Sequence, residues 1–138
     1  MKLALNFFIL FIAGLAISGV LWDFIGLVKI LAIRIYTAVE VSSAEKLTAQ
    51  ENYLKAAAKY EKSLPHIKED NKKLLAKVKN NLGLCYFYLY EKERRDEFKQ
   101  KSILFFEQAL ALYEETKSTI AAQETMKNLQ NAKKLLEF

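Results

Sequence analysis

Residues 75–89 read LAKVKNNLGLCYFYL, and their apolar side chains recur every three to four positions. The residues of this stripe are Leu75, Val78, Leu82, Cys85, Tyr86 and Leu89. That period places them on one face of an α-helix, whereas a half-buried strand alternates at every second residue. The same helical pattern continues from Ser43 onward. Four glycines and one proline in 138 residues are too few for the tight turns of an all-β fold. We therefore expect an all-α fold.

Recognisable breaks divide the chain after residue 40 into five helical segments. The first contains residues 44–47, and the second ends at Pro65, which cannot continue a helix. The third begins near Asp70, whose carboxylate suits a helix N-terminus. The fourth covers about residues 103–113, and the fifth follows Ser118. Short connections between them predict antiparallel helices, in a bundle or a helical-repeat array.

One set of residues resembles the signature of a tetratricopeptide repeat (TPR), a pair of antiparallel helices. The set consists of Leu82-Gly83-x-x-Tyr86, Ser102-x-x-x-Phe106 and Ala109-Leu110. A weaker upstream copy consists of Ala44 with Leu47, Tyr53, Ala56-x-x-x-Tyr60 and Ser63-Leu64. The resemblance implies that Gly83 and Ala109 are small where paired helices approach closely, and that Tyr86 and Phe106 fill the space between them.

The chain also departs from the repeat pattern. Lys79 stands at the usual tryptophan position, Glu114 at the terminal proline and Ser102 at the small alanine. A charged insertion around residues 91–97 should lengthen both helices of the second pair by about a turn. Over about residues 37–116 the resemblance implies two repeats, and the last helix is expected to act as a C-terminal cap.

The N-terminal part of the chain is far more apolar than the rest. From Leu3 to Leu21 it runs for 19 residues with Asn6 and Ser18 as the only polar side chains, enough for a helix to cover the ~30 Å hydrocarbon core of a bilayer. The sequence therefore predicts a transmembrane helix over about residues 3–22 and a single-pass membrane location. A cleaved signal peptide is the alternative, but the apolar stretch is long and no small-x-small cleavage pattern follows it.

A second apolar block at residues 25–36 is too short to span a bilayer alone. It could extend a tilted span, lie in the interface as a juxtamembrane helix over about residues 24–36, or pack against another membrane subunit. Gly14 and Ser18 stand four apart, a spacing that lets another helix approach closely, and Gly26 lies in the second block. We expect these three residues to be helix-packing positions. The predicted organisation is a membrane anchor over 1–36 and a TPR-like domain over 37–138.

Charge and residue chemistry argue against several classes of function. From Glu40 onward, 18 Lys and Arg face 15 Asp and Glu in alternating order, unlike the one-signed surface that binds nucleic acid. One Cys and one His cannot form a Cys/His metal cluster. Three of the four glycines lie before residue 27, so the chain offers no glycine-rich phosphate loop. We expect no catalytic residues, no cofactor and no nucleic-acid partner.

One face of the third helix is the candidate partner-binding surface, because the first helix of each TPR pair lines the ligand groove. Its residues are Lys73, Lys77, Asn80, Asn81, Leu84 and Phe87. Lysines, amides and an exposed ring suit an extended peptide with an acidic group or a terminal carboxylate. The alternative is a solvated face whose Phe87 is covered by a neighbouring helix.

The resemblance thus implies a membrane-anchored adaptor or scaffold that binds partner proteins, with membrane lipid around its first helix. The alternative is a small structural or assembly subunit of a larger membrane protein complex. In that case Gly14, Ser18, Gly26 and the block at 25–36 would carry the contacts.

Overall fold

The structure, a computed structural model, describes the backbone of residues 2–134 and the side chains of residues 10, 14 and 18–134. Five α-helices account for most of it: α1 (Lys2–Ala49), α2 (Tyr53–Ser63), α3 (Lys72–Glu93), α4 (Asp96–Glu115) and α5 (Thr119–Lys134). A 3-10 turn, Leu64–His66, follows α2. No strand occurs among the described residues, so this part of the chain is all-α, as its periodicity predicted.

The predicted membrane anchor requires correction. Of the helices in the described part of the chain, none offers a stretch with the length and hydropathy that spanning a bilayer requires. The physical reason is the charge on α1, where Asp23, Lys29, Arg34 and Glu40 follow one another at short intervals. The transmembrane helix over about residues 3–22 and the single-pass location are therefore wrong. The side chains of residues 3–9, 11–13 and 15–17, on which that prediction also drew, lie outside the described residues.

Residue contacts divide the chain into two compact units, Met1–Tyr36 and Thr37–Phe138. In the first unit, large apolar side chains are exposed, among them Leu21, Trp22, Phe24, Leu27, Val28 and Leu31. They lie on every side of α1, which makes this part of the helix apolar all round apart from its charges.

The second unit is organised around α3, which packs along both α2 and α4, while α5 packs mainly on α4. The largest buried cluster joins the end of α1 to α2 and α3, and Ala44, Tyr60, Leu82 and Cys85 are fully buried in it. Two smaller clusters involve α4. One contains Ala76, Ala109 and Tyr113, and the other contains Phe106, Leu129 and Ala132.

Two sets of buried residues share a similar spacing along the chain. The upstream set is Ala44, Ala56, Tyr60 and Ser63, and the downstream set is Gly83, Ser102, Phe106 and Ala109. In both sets the last three residues follow one another at steps of four and three. The same arrangement of small and aromatic residues is therefore buried twice along the chain.

Polar contacts fix how these helices meet. The Ser102 hydroxyl donates to the Gly83 carbonyl at 2.9 Å and ties α4 to α3. The Tyr86 hydroxyl donates to the Glu61 carboxylate at 2.6 Å and ties α3 to α2. The charged insertion lies at the ends of α3 and α4, and only Arg94 and Arg95 connect the two helices. Arg94 ends α3 with a positive φ of 55°, which lets the chain reverse at once.

Candidate protein-binding surface

The predicted surface residues all lie on α3, where the structure gives them three different roles. We call Lys73, Lys77, Leu84, Phe87 and Tyr88 the α3 face, since these side chains follow one side of the helix. Asn80 and Asn81 lie between them in the sequence, but their side chains are engaged by neighbouring helices.

The N-terminal end of the α3 face is basic. Lys73 is exposed. The Lys77 ammonium lies 2.7 Å from a carboxylate oxygen of Glu45 on α1, and both side chains are substantially exposed. Such an exposed ion pair is worth about 0–1 kcal/mol. An incoming carboxylate can therefore compete for Lys77 at little cost, and Lys73 adds a second positive charge one turn away.

The two amides serve the fold. The Thr125 hydroxyl of α5 donates to Oδ1 of Asn80 at 3.0 Å, and Thr125 is only 1% exposed. On the other side, Nδ2 of Asn81 donates to the hydroxyl of buried Tyr60 at 3.0 Å. Each amide thus forms a hydrogen bond with the hydroxyl of a buried residue on a neighbouring helix. Asn80 and Asn81 thus hold α5 and α2 against α3.

The C-terminal end of the α3 face is apolar and aromatic. Leu84 and Phe87 are half-buried and pack against the cluster of Phe106, Leu129 and Ala132. Side chains of α4 and α5 therefore cover part of Phe87. This partial cover agrees with the alternative in which a neighbouring helix lies over the Phe87 ring. Its ring also meets the ring of Tyr88 edge-on, with 5.6 Å between the centroids.

Tyr88 belongs to this surface although the sequence analysis left it out. Its side chain is 39% exposed, and its ring stacks on that of Tyr53 from α2 with centroids 4.7 Å apart. The sequence spacing could have identified Tyr88, because it follows Lys77 by 11 residues and so returns to the same side of the helix. Lys73 and Tyr88 are about 22 Å apart along the helix axis, at about 1.5 Å per residue.

The buried thiol of Cys85 is not in the ionised state that nucleophilic catalysis requires. Cys85 is fully buried, and the hydroxyl of Thr48 lies 3.7 Å from its sulfur. Burial raises the pKa of the Cys85 thiol to about 11, so the thiol stays protonated at neutral pH, whereas nucleophilic attack requires the thiolate. His66 is exposed in the turn after α2. Within residues that the structure describes, no group of three or more His, Cys, Asp and Glu side chains is placed to hold a metal ion.

Two of the three predicted helix-packing residues of α1, Gly14 and Gly26, have open space beside them. Gly14 and Ser18 are exposed and Gly26 is half-buried. A Cβ built on Gly14 or Gly26 would meet nothing within 4 Å. No other described part of the chain uses the small size of these two glycines.

Comparisons with protein-family models, with curated proteins and with solved structures give no match to this chain.

Proposed function

We propose that this chain is a protein–protein interaction adaptor and that its α3 face binds an extended segment of a partner protein. The observation that carries the proposal is the gradient along that face, from two lysines at one end to exposed aromatic surface at the other. Both ends belong to α3, which packs against α2, α4 and α5. We therefore expect the surface to be rigid before a partner binds. Rigidity of this kind lowers the entropic cost of binding.

Two TPR-like helix pairs with α5 as a cap would present the α3 face in this way. Support comes from the two equivalent buried sets, in which Ala44 corresponds to Gly83 and Tyr60 to Phe106. In such an array the first helix of each pair lines the binding groove. Here the corresponding helices are the end of α1, helix α3 and the capping helix α5. Glu45 of α1 pairs with Lys77 of α3, and Thr125 of α5 donates a hydrogen bond to Asn80 of α3, so α3 lies between the other two.

The chemistry of the α3 face defines the partner segment. Its length of about 22 Å matches roughly seven residues of extended chain at about 3.3 Å each. A carboxylate near Lys73 and Lys77 would gain charge-assisted hydrogen bonds. At the other end, an apolar or aromatic side chain would pack on Tyr88 beside Phe87. The preferred segment is therefore acidic at one end and apolar at the other.

The test starts from partners that copurify with the full-length chain. One of them is then produced alone, and its affinity for the Lys73→Glu variant is measured. Loss of one charge-assisted contact should weaken binding by at least about tenfold. Lys55→Glu is the matched control, because Lys55 is exposed on α2 away from the α3 face. Equal losses for both variants would mean that net charge, and not this surface, governs binding.

A second candidate function is favoured by a separate observation. The exposed apolar side chains between Val20 and Ile35 form a larger uncovered apolar surface than isolated proteins usually carry. A structural subunit of a larger protein complex would bury them against other chains. Gly26→Leu should then impair assembly while Lys73→Glu does not, and the reverse pattern supports the adaptor.

A further inference from the structure

One stripe of residues along α1 differs from the rest of its apolar surface because it includes an acidic residue, Asp23, towards one end and a basic residue, Arg34, at the other. Val20, Asp23, Leu27, Ile30 and Arg34 follow one another at alternating steps of three and four residues. This is the spacing of the a and d positions that line the seam of a coiled coil. The side chains of Val20, Leu27 and Ile30 are 69%, 63% and 43% exposed. Three of the five positions are thus apolar, and the described part of the chain leaves them uncovered.

The two charges decide in which direction a partner helix can lie on this seam. In a parallel pair in register, a faces a and d faces d, so Asp23 would oppose Asp23 and Arg34 would oppose Arg34. In an antiparallel pair, a faces d. Leu27 then faces Ile30 of the partner copy, and Asp23 faces Arg34 of the partner copy at both ends. Like charges directly opposite each other are unfavourable, whereas the antiparallel order makes every seam charge complementary.

Lys29, the remaining charged residue between Val20 and Arg34, does not affect this antiparallel pairing. Lys29 lies about 120° around the helix from Asp23, at about 100° per residue, and so points away from the seam. The salt bridges of the described residues use carboxylates from Glu40 to Glu115 and cations from Lys59 to Lys133, and therefore neither Asp23 nor Arg34. Both seam charges are therefore available to a second chain.

We propose that residues 23–34 of α1 pair antiparallel with the same residues of a second copy of this chain. The two-fold axis lies between Val28 and Lys29, so the interface is symmetric and closes as a dimer. Burial of Leu27 and Ile30 supplies the attraction, and the Asp23–Arg34 pairs fix direction and register. The proposal goes beyond the adaptor function because it uses no residue of the α3 face.

A charge exchange in the full-length chain tests the pairing. Asp23→Arg and Arg34→Asp should each weaken dimerisation by at least about tenfold, because each replaces two attractions per dimer with two repulsions. The double variant should return to within about threefold of the original protein. Lys29→Asp is the matched control, since it reverses a charge off the seam and should have little effect. Sedimentation over a micromolar concentration range measures the dimer fraction, and circular dichroism checks that each variant is helical.

Cysteine crosslinking then tests the register. Leu27→Cys chains and differently tagged Ile30→Cys chains are mixed and oxidised. Cys85 is retained, because it is fully buried. The antiparallel seam predicts that disulfides between positions 27 and 30 exceed those between two copies of position 27. Monomeric protein at all concentrations, no rescue by the double charge exchange, or dominant 27–27 crosslinks would each overturn the proposal.

Discussion

The ring of Phe106 lies directly against the Cα of Gly83. A Cβ built on Gly83 would stand 2.6 Å from Cδ1 of that ring and 2.9 Å from its Cγ. Phe106 is fully buried, and the Ser102 hydroxyl one turn earlier donates to the Gly83 carbonyl. Gly83 is therefore a point of close approach between α3 and α4, where a Cβ would clash with the Phe106 ring.

Gly83→Ala should destabilise the protein by about 1–3 kcal/mol, the usual cost of overpacking a core. Alanine favours a helix over glycine by about 1 kcal/mol. This gain offsets part of the clash, so the net loss should lie at the lower end of that range. Gly83→Leu should prevent folding. Urea unfolding followed by circular dichroism measures both effects.

Phe106→Leu supplies the control for that clash. It leaves space beside Gly83, so Gly83→Ala should cost less in the Phe106→Leu background than in the original protein. A loss that is the same in both backgrounds would show that the ring is not the obstacle.

Tyr86 should depend more on its ring than on its hydroxyl. The ring stacks on those of Phe98 and Phe105, with centroids 5.8 and 5.9 Å away, and Tyr86 is 4% exposed, so Tyr86→Ala should cost about 3–5 kcal/mol. Tyr86→Phe removes only the hydrogen bond to Glu61 and should cost about 0.5–1.5 kcal/mol. Thermal unfolding compares the two variants. Similar losses for both would assign the main role to the hydroxyl.

Asn80 and Thr125 should be energetically coupled. Asn80→Ala leaves the buried Thr125 hydroxyl without its acceptor and should lower the free energy of unfolding by about 1–3 kcal/mol. Removing both polar groups leaves no unsatisfied hydroxyl and should therefore add little further loss. The double variant Asn80→Ala with Thr125→Val should therefore be more stable than the sum of the single losses predicts. A double-mutant cycle in urea measures the coupling, and strict additivity would contradict the contact between α3 and α5.

The pairing of these two residues also shows where sequence reasoning stopped. Periodicity predicted which residues of α3 share a face, and it correctly placed Leu82, Cys85 and Leu89 in the core. It could not tell which neighbour covers each edge of that face, because this depends on how α2 and α5 lie in space. Asn80 and Asn81 were predicted as binding residues, and periodicity gave no sign that their side chains also form hydrogen bonds with α5 and α2. Their part in binding stays a prediction.

The anchor prediction went wrong for a different reason. It considered the composition of residues 3–21, whereas α1 continues to Ala49 through Asp23, Lys29 and Arg34. The prediction allowed a tilted span to include the block at 25–36, but with Asp23, Lys29 and Arg34 in it the described part of α1 holds no stretch with the hydropathy that spanning requires. Helix starts were also shifted slightly: Asp70 was expected to begin the third helix, but Asn71 caps it by accepting a hydrogen bond from the Leu74 amide.

Stability should fall as the pH rises above 9. Burial raises the pKa of the Cys85 thiol from 9.0 to about 11. Between these values the unfolded chain releases the thiol proton while the folded chain keeps it, so ionisation lowers the free energy of the unfolded state and folding becomes less favourable. The loss should be roughly 1 kcal/mol by pH 10 and should level off above about pH 11.

Cys85→Ala is the control for this pH dependence. Its stability should change less between pH 8.5 and pH 10 than that of the original protein. Above pH 10 the buried Tyr60 and Tyr86, whose pKa values burial also raises, add losses of the same sign in both proteins. An identical slope for the two proteins below pH 10 would assign the titration to another group.

Photocrosslinking from the α3 face tests the proposed adaptor function most directly. A photoreactive phenylalanine analogue replaces Tyr88 in one full-length variant and Leu104 in another. The two positions are comparably exposed, at 39% and 49%, but Leu104 lies on α4 outside the α3 face. The account predicts that a copurifying partner is crosslinked from position 88 and not from position 104. Crosslinking from position 104 alone, or equally from both positions, would contradict it.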